Sequence, residues 1–209
     1  MAWIRIERVT WAERALWAAF VVASVAPVAL QPAPEEIARS YVAAINRGDV
    51  DAALALTTTD FVIRPVLGGY YYRREEARKV LEWRAALNER WRVVSWAYDP
   101  RDREVYGLFE VTNDAWRLIA PPPTMEVVLV MREGGLLMEG IRTGARDLRR
   151  PLEPFLAWAG EERPLALGRV WRNRQPVLDE EAAGRLLELV RAWRAAEGSV
   201  AEAPAPAQP

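Results

Sequence analysis

The chain has 209 residues, enough for one domain with a sizeable core and short for two, and its 51% apolar and 27% charged residues are a globular balance. A formal net charge of −1 gives no general electrostatic attraction to nucleic acid or to an anionic membrane surface. With no cysteine and no histidine, disulfides, thiolate nucleophiles, Ser-His-Asp and Cys-His constellations and zinc hydrolase sites are excluded, so any catalysis runs on Asp, Glu, Tyr, Lys79 or a hydroxyl.

Residues 1–34 read as a signal or anchor segment with a spacer. No charge falls between Ala15 and Leu30, while Arg5, Arg8 and Arg14 precede the run and Glu35 and Glu36 follow it. A helix over residues 15–30 would span about 24 Å, slightly less than the ~30 Å of a hydrocarbon core. Ser24-Val25-Ala26 is a small-x-small cleavage pattern, but Pro27 behind it hinders cutting. The expectation is an uncleaved membrane anchor through residues 15–30 with the domain extracytoplasmic. The alternative is a helix packed on the domain or on a partner, in a cytoplasmic protein.

The proline-bearing run Gln31-Pro32-Ala33-Pro34 is a stiff spacer, and Pro34 with Glu35 and Glu36 suits the first turn of a helix. Ile37, Tyr41, Ala44 and Ile45 then share one face. Gly48 is placed to end this helix in left-handed backbone, and Asp49 to cap a second helix with Val50, Ala53 and Leu54 on its apolar face. "DFVIRPV" reads as an edge strand ended by a proline, Gly68-Gly69 as a turn. A third helix is predicted over "RREEARKVLEWRAALN", with Ala77, Val80, Leu81, Arg84 and Leu87 at helical spacing. Four strands follow, "WRVVSWAY", "EVYGLFEV", "TMEVVLVM" and "LLMEGIRT", joined by short turn-like segments that favour antiparallel pairing. Beyond Arg146 comes a helical extension over 147–198, with a long helix capped by Asp179 and ended by Gly198. Residues 199–209 read as a disordered tail. The order of elements gives an α+β fold with helices on one face of a curved sheet.

"EEIARSYVAAINRGDVDAALALTTTDFVIRP" resembles the opening of the NTF2-like superfamily, which includes SnoaL-like cyclases and ketosteroid isomerase. The likeness lies in the first-helix aromatic, the N-x-G-D-x-D corner and the edge strand closed by proline, and it runs over 35–146 to "REGGLLMEGIRT". It implies an NTF2-like cone: a curved, mostly antiparallel sheet packed on three helices around an apolar pocket, here with an added N-terminal apolar helix and C-terminal helices. Tyr41 matches the tyrosine that donates to a developing oxyanion in the isomerases, and Glu126 the acid that supports it. The proton-abstracting carboxylate before the edge-strand proline is replaced by Arg64, which cannot act as a base.

Tyr41, Arg64 and Glu126 are therefore expected to converge in the pocket, with Arg64 paired to Glu126 or to a ligand carboxylate. Trp83 and Arg142 are further candidates for its lining. The limonene epoxide hydrolases of the superfamily use an Asp-Arg-Asp set; Arg142 or Arg64 can supply the arginine, but no second carboxylate is evident. No Walker-type or G-x-G-x-x-G loop occurs, and no cofactor or metal is expected. The leading expectation is a non-catalytic module that binds a small apolar ligand or a protein partner and forms a homodimer. An isomerase-like enzyme using Tyr41 and Glu126 is the alternative.

Overall fold

The computed structural model describes residues 32–64, 71–141, 145–173 and 175–201. The anticipated anchor, the Gly68-Gly69 turn and Arg142 lie outside these residues, as does most of the C-terminal tail.

Helix α1 (Pro34–Arg47) starts with Glu36 reaching back to accept a hydrogen bond from the Ala33 N–H at 3.2 Å. Its Ala38, Tyr41, Val42, Ala44 and Ile45 are buried. It ends as expected: Gly48 takes φ 70°, its N–H bonds Ile45 O at 2.9 Å, and the Asp49 N–H bonds Ala44 O at 3.0 Å. These two bonds satisfy carbonyls that the last turn would otherwise leave open. Asp49 then caps α2 (Val50–Ala55), accepting from the Ala52 N–H at 3.0 Å. The chain turns the corner in two residues because the same glycine closes one helix while its neighbour opens the next.

Strand β1 (Thr57–Arg64) and the short β2 (Tyr72–Arg73) lead into α3 (Arg74–Ala86), which buries Ala77, Val80, Leu81 and Arg84. Strands β3 (Arg90–Asp99), β4 (Glu104–Thr112), β5 (Thr124–Arg132) and β6 (Gly135–Ile141) complete one sheet in the order β2-β1-β6-β5-β4-β3. Pairing is antiparallel except between β1 and β6. Along β4 and β5 the inward residues are Val105, Phe109, Val111, Val127, Leu129 and Met131, all buried against α1, α2 and α3. The domain is thus α+β, with three helices against one mixed sheet, the arrangement expected of the cone.

Register irregularities between Val93 and Ser95 and between Val130 and Met131 interrupt the ladders. At the second, Val130 faces Met138 while Met131 faces Leu136, so Leu137 is an extra residue in β6. A bulge of this kind turns the strand and reverses which residues face inward beyond it.

The short α4 (Trp116–Ile119) follows β4. The C-terminal part adds α5 (Ala145–Glu162), α6 (Pro164–Val170), a two-stranded hairpin of β7 (Trp171–Arg172) and β8 (Gln175–Pro176), and α7 (Glu180–Ala201). Asp179 caps α7, accepting from the Ala182 N–H at 2.7 Å. Gly198 does not end that helix, which runs to Ala201: a glycine stops a helix only where it adopts left-handed backbone. A second core forms where Phe155, Val170, Leu186, Val190 and Trp193 close over Leu87 and Ala115 of the cone. The apolar stripe anticipated on α7 is therefore covered by the same chain.

Candidate functional site

Among the described residues the aliphatic interior of the cone holds three charged groups, Arg84, Glu89 and Glu139. Burying an ion without a partner is costly, and each of the three has partners. The Arg84 guanidinium grips Glu139 with two bonds, Nη1 to Oε2 at 3.0 Å and Nη2 to Oε1 at 2.7 Å. Its Nε lies 3.3 Å from Oε1 of Glu89. The Tyr41 hydroxyl donates to Oε2 of Glu139 at 2.8 Å, and the Trp91 indole N–H donates to Oε1 of Glu89 at 2.8 Å. Asn113, which borders the same space as Glu89, accepts the Trp116 N–H on its Oδ1 at 2.8 Å. One fork-shaped cation thus ties α1, α3, β3 and β6 together through two carboxylates.

Burial pushes the Tyr41 hydroxyl well above its ordinary pKa, and the Glu139 carboxylate pushes it further. Burial alone would lower Arg84, but Glu139 and Glu89 outweigh it and hold the guanidinium above its usual value. Burial raises Glu89, an effect that Arg84 and the Trp91 N–H oppose without cancelling.

Above this layer lies a cavity of about 190 Å³. Its walls include Ile63, Val80, Trp83, Trp91, Met125 and Ile141, and its polar edge is formed by Arg84, Glu89 and Asn113. Pro176 and Leu178, from the segment leading into α7, also border it, so the C-terminal extension contributes to its wall. A second cavity of about 140 Å³ lies toward Phe155, Trp171 and Leu186. Trp83, Asn113, Trp116 and Pro176 border both spaces. Glu139 and Tyr41 border neither. The Glu139 side chain is 0% exposed, whereas Glu89 keeps 9% of its side-chain surface.

The structure does not bring Tyr41, Arg64 and Glu126 together. Tyr41 points inward as expected, but its hydroxyl is committed to Glu139. Arg64 follows the buried Ile63 on β1 and is exposed, with its guanidinium 6.0 Å from the Tyr71 ring centroid. Glu126 pairs in register with the exposed Leu108, on the face opposite Met125 and Val127, which places it outside the cone. Trp83 does border the cavity. Glu139, Arg84 and Glu89 were missed as site residues. The available signal was Arg84 on the buried stripe of a predicted helix: a charge there requires a buried carboxylate. Its partner was hidden by the bulge at Leu137. Strict alternation from Leu136 through Met138 puts Glu139 outside, whereas the extra residue turns Glu139 and Ile141 inward.

Among the described residues no group of His, Cys, Asp or Glu could hold a metal ion, and no helix is long and apolar enough to cross a membrane. No protein-family model matches the chain, and no curated protein matches it. Among solved structures it is similar to an NTF2-like protein of unknown function from Cytophaga hutchinsonii, with 11% identity over 58% of this chain and 99% of that one and a TM-score of 0.48. It is similar to SalBIII, an epoxide hydrolase/cyclase-like enzyme of pyran ring formation in salinomycin, with 18% identity over 53% and 90% of the two chains and a TM-score of 0.46. A putative polyketide cyclase from Xanthomonas campestris matches at 16% identity over 57% and 96%, with a TM-score of 0.45. At these identities the likeness is one of architecture and carries no chemistry.

Proposed function

We propose that this NTF2-like domain is a non-catalytic module that receives a small, mostly apolar molecule in the cavity above Arg84 and Glu89. The observation that carries the reading is the contrast between the cavity's walls and its edge. The walls are aliphatic and indole carbon, while Arg84 and Glu89 are already engaged with one another and with Trp91, and Asn113 with Trp116. Sites for small molecules are built this way, largely apolar with a few placed polar groups. The volume sets the scale: a cavity of about 150 Å³ accepts benzene, whereas drug-sized ligands need roughly 300–1,000 Å³. One ring or a short branched chain fits about 190 Å³.

The isomerase-like alternative has little support from the same geometry, since Tyr41 is spent on Glu139 and Glu126 belongs to the outer face. Three tryptophans, Trp83, Trp91 and Trp116, border the cavity, so occupancy should change intrinsic emission. Titration with toluene is expected to give a saturable shift in the wild type and none in Met125→Trp, whose larger side chain fills the space, with far-UV dichroism unchanged. Equal responses from both proteins would reject the reading.

Two further parts of the proposal rest on other surfaces. Leu108 is exposed on the outer face of β4, which supports self-association through that face; sedimentation of wild type and Leu108→Lys tests it, an unchanged monomer in both rejecting it. The uncharged run over 15–30 supports an extracytoplasmic tether, which recovery of intact chain wholly in the soluble fraction would contradict.

A further inference from the structure

The buried charges of the cone do not balance. Among the described residues they are one guanidinium, Arg84, and two carboxyl groups, Glu89 and Glu139, so that one excess negative charge stands next to the cavity when both are ionised. The two carboxylates are not equivalent. Glu139 is saturated by Tyr41 and by both ends of the Arg84 fork, and it is sealed from the cavity. Glu89 borders the cavity, and the Arg84 Nε and the Trp91 N–H both meet it at the same oxygen, Oε1. An ionised carboxylate offers about four lone-pair positions, so Glu89 has room for a further donor. The same cavity is bordered by the aromatic groups Trp83, Trp116 and Tyr72, whose ring faces attract cations, and by Trp91, whose ring already lies 5.5 Å from the Arg84 guanidinium.

We propose that the cavity selects small monocations, organic amines with an apolar body, whose ammonium donates to Glu89 among these rings. The inference rests on the reading of the cavity as a ligand site and adds the charge of the ligand. An amine supplies both the missing countercharge and the missing donor. A neutral hydrocarbon of the same shape supplies neither, and a carboxylate meets the excess negative charge. The groups facing Glu89 are Arg84 from α3, Glu139 from β6, Tyr41 from α1, the Trp91 N–H from β3 and Asn113 beyond β4. Burial favours the protonated carboxyl at Glu89 and a bound ammonium favours the carboxylate, so binding and ionisation of Glu89 support one another. Amine affinity therefore rises with pH as the Glu89 carboxyl ionises.

The test compares three probes of one shape, benzylamine, toluene and benzoate, by tryptophan emission and calorimetry on the full chain. Benzylamine is expected to bind at least about tenfold more tightly than toluene, with benzoate weakest of the three. Glu89→Gln is expected to remove that preference, benzylamine then binding the variant no more tightly than toluene binds the same variant. Should that variant fail to fold, the order of the three probes and the pH dependence of benzylamine binding to the wild type still decide. Toluene or benzoate binding as well as benzylamine would overturn the charge selection and leave the cavity reading standing. No response to any probe would overturn both.

Discussion

Glu139 is the residue on which the interior depends most. It accepts two bonds from Arg84 and one from Tyr41 while fully withdrawn from solvent. Removing it strands a buried guanidinium, so Glu139→Ala is expected to cost about 3–5 kcal/mol in denaturant unfolding. Tyr41→Phe deletes one donor and leaves the Arg84 pair intact, and about 2 kcal/mol is expected. Equal losses in the two variants would mean that the ion pair contributes nothing beyond the tyrosine bond. Glu89 sets the pH response. Its carboxyl is raised by burial in the folded state, so between the unfolded and folded values the native form holds a proton that the unfolded chain has released. That contribution to stability is full below the ordinary carboxylate range and is lost as pH rises through the folded value. The stability of Glu89→Gln relative to wild type should accordingly climb with pH across this window; a flat difference would place the carboxyl at its ordinary value. Of these residues, Tyr41 was legible from helical spacing and from the family resemblance. Arg84 was legible only as an odd charge on an apolar stripe, and Glu139 and Glu89 were not legible at all, because pairing across the sheet depends on register.

Elements defined by local chemistry were read more surely than relations between them. The corner at Gly48 and Asp49 follows from one glycine that tolerates left-handed backbone and one carboxylate that accepts an N–H, and both act within a few residues. Strand parity is different. Alternation fixes the two faces of a strand only until an extra residue intervenes, and the bulge at Leu137 exchanges them. Glu126 was misplaced for a related reason: superfamily position was carried onto a strand whose inward set is Met125, Val127, Leu129 and Met131. A further link between elements is invisible in any pattern. Asn46, near the end of α1, accepts the Trp91 N–H at 2.6 Å and donates to the Trp91 carbonyl at 2.9 Å. It occupies the free edge of β3, where a neighbouring strand would otherwise pair, and so holds Trp91 in position to reach Glu89. Asn46→Ala leaves both backbone groups without partners, and a loss of about 2 kcal/mol is expected by chemical denaturation. A change below about 0.5 kcal/mol, the usual range for surface substitutions, would show that the edge needs no such cap.

Over the whole molecule, the described residues from 32 onward share two contiguous cores. The first fills the cone, and the second joins Leu87 and Ala115 of the cone to Phe155, Val170, Leu186 and Trp193 of the C-terminal helices. The fold class, the three-helix layer and the antiparallel run of strands were readable in advance because periodicity and turn residues report them directly. The packing of the extension was not, since an apolar stripe on α7 says that it must be covered and not by what. That packing matters for function because Pro176 and Leu178 complete the wall of the cavity. A ligand that binds the native state alone raises its stability according to concentration over Kd, which makes thermal unfolding a direct gauge of whether the space accepts a guest. The decisive measurement is the unfolding midpoint of the full chain with and without saturating benzene, alongside Met125→Trp. A rise confined to the wild type is the expected result; no rise, or the same rise in the filled variant, would contradict a receptive cavity above Arg84 and Glu89.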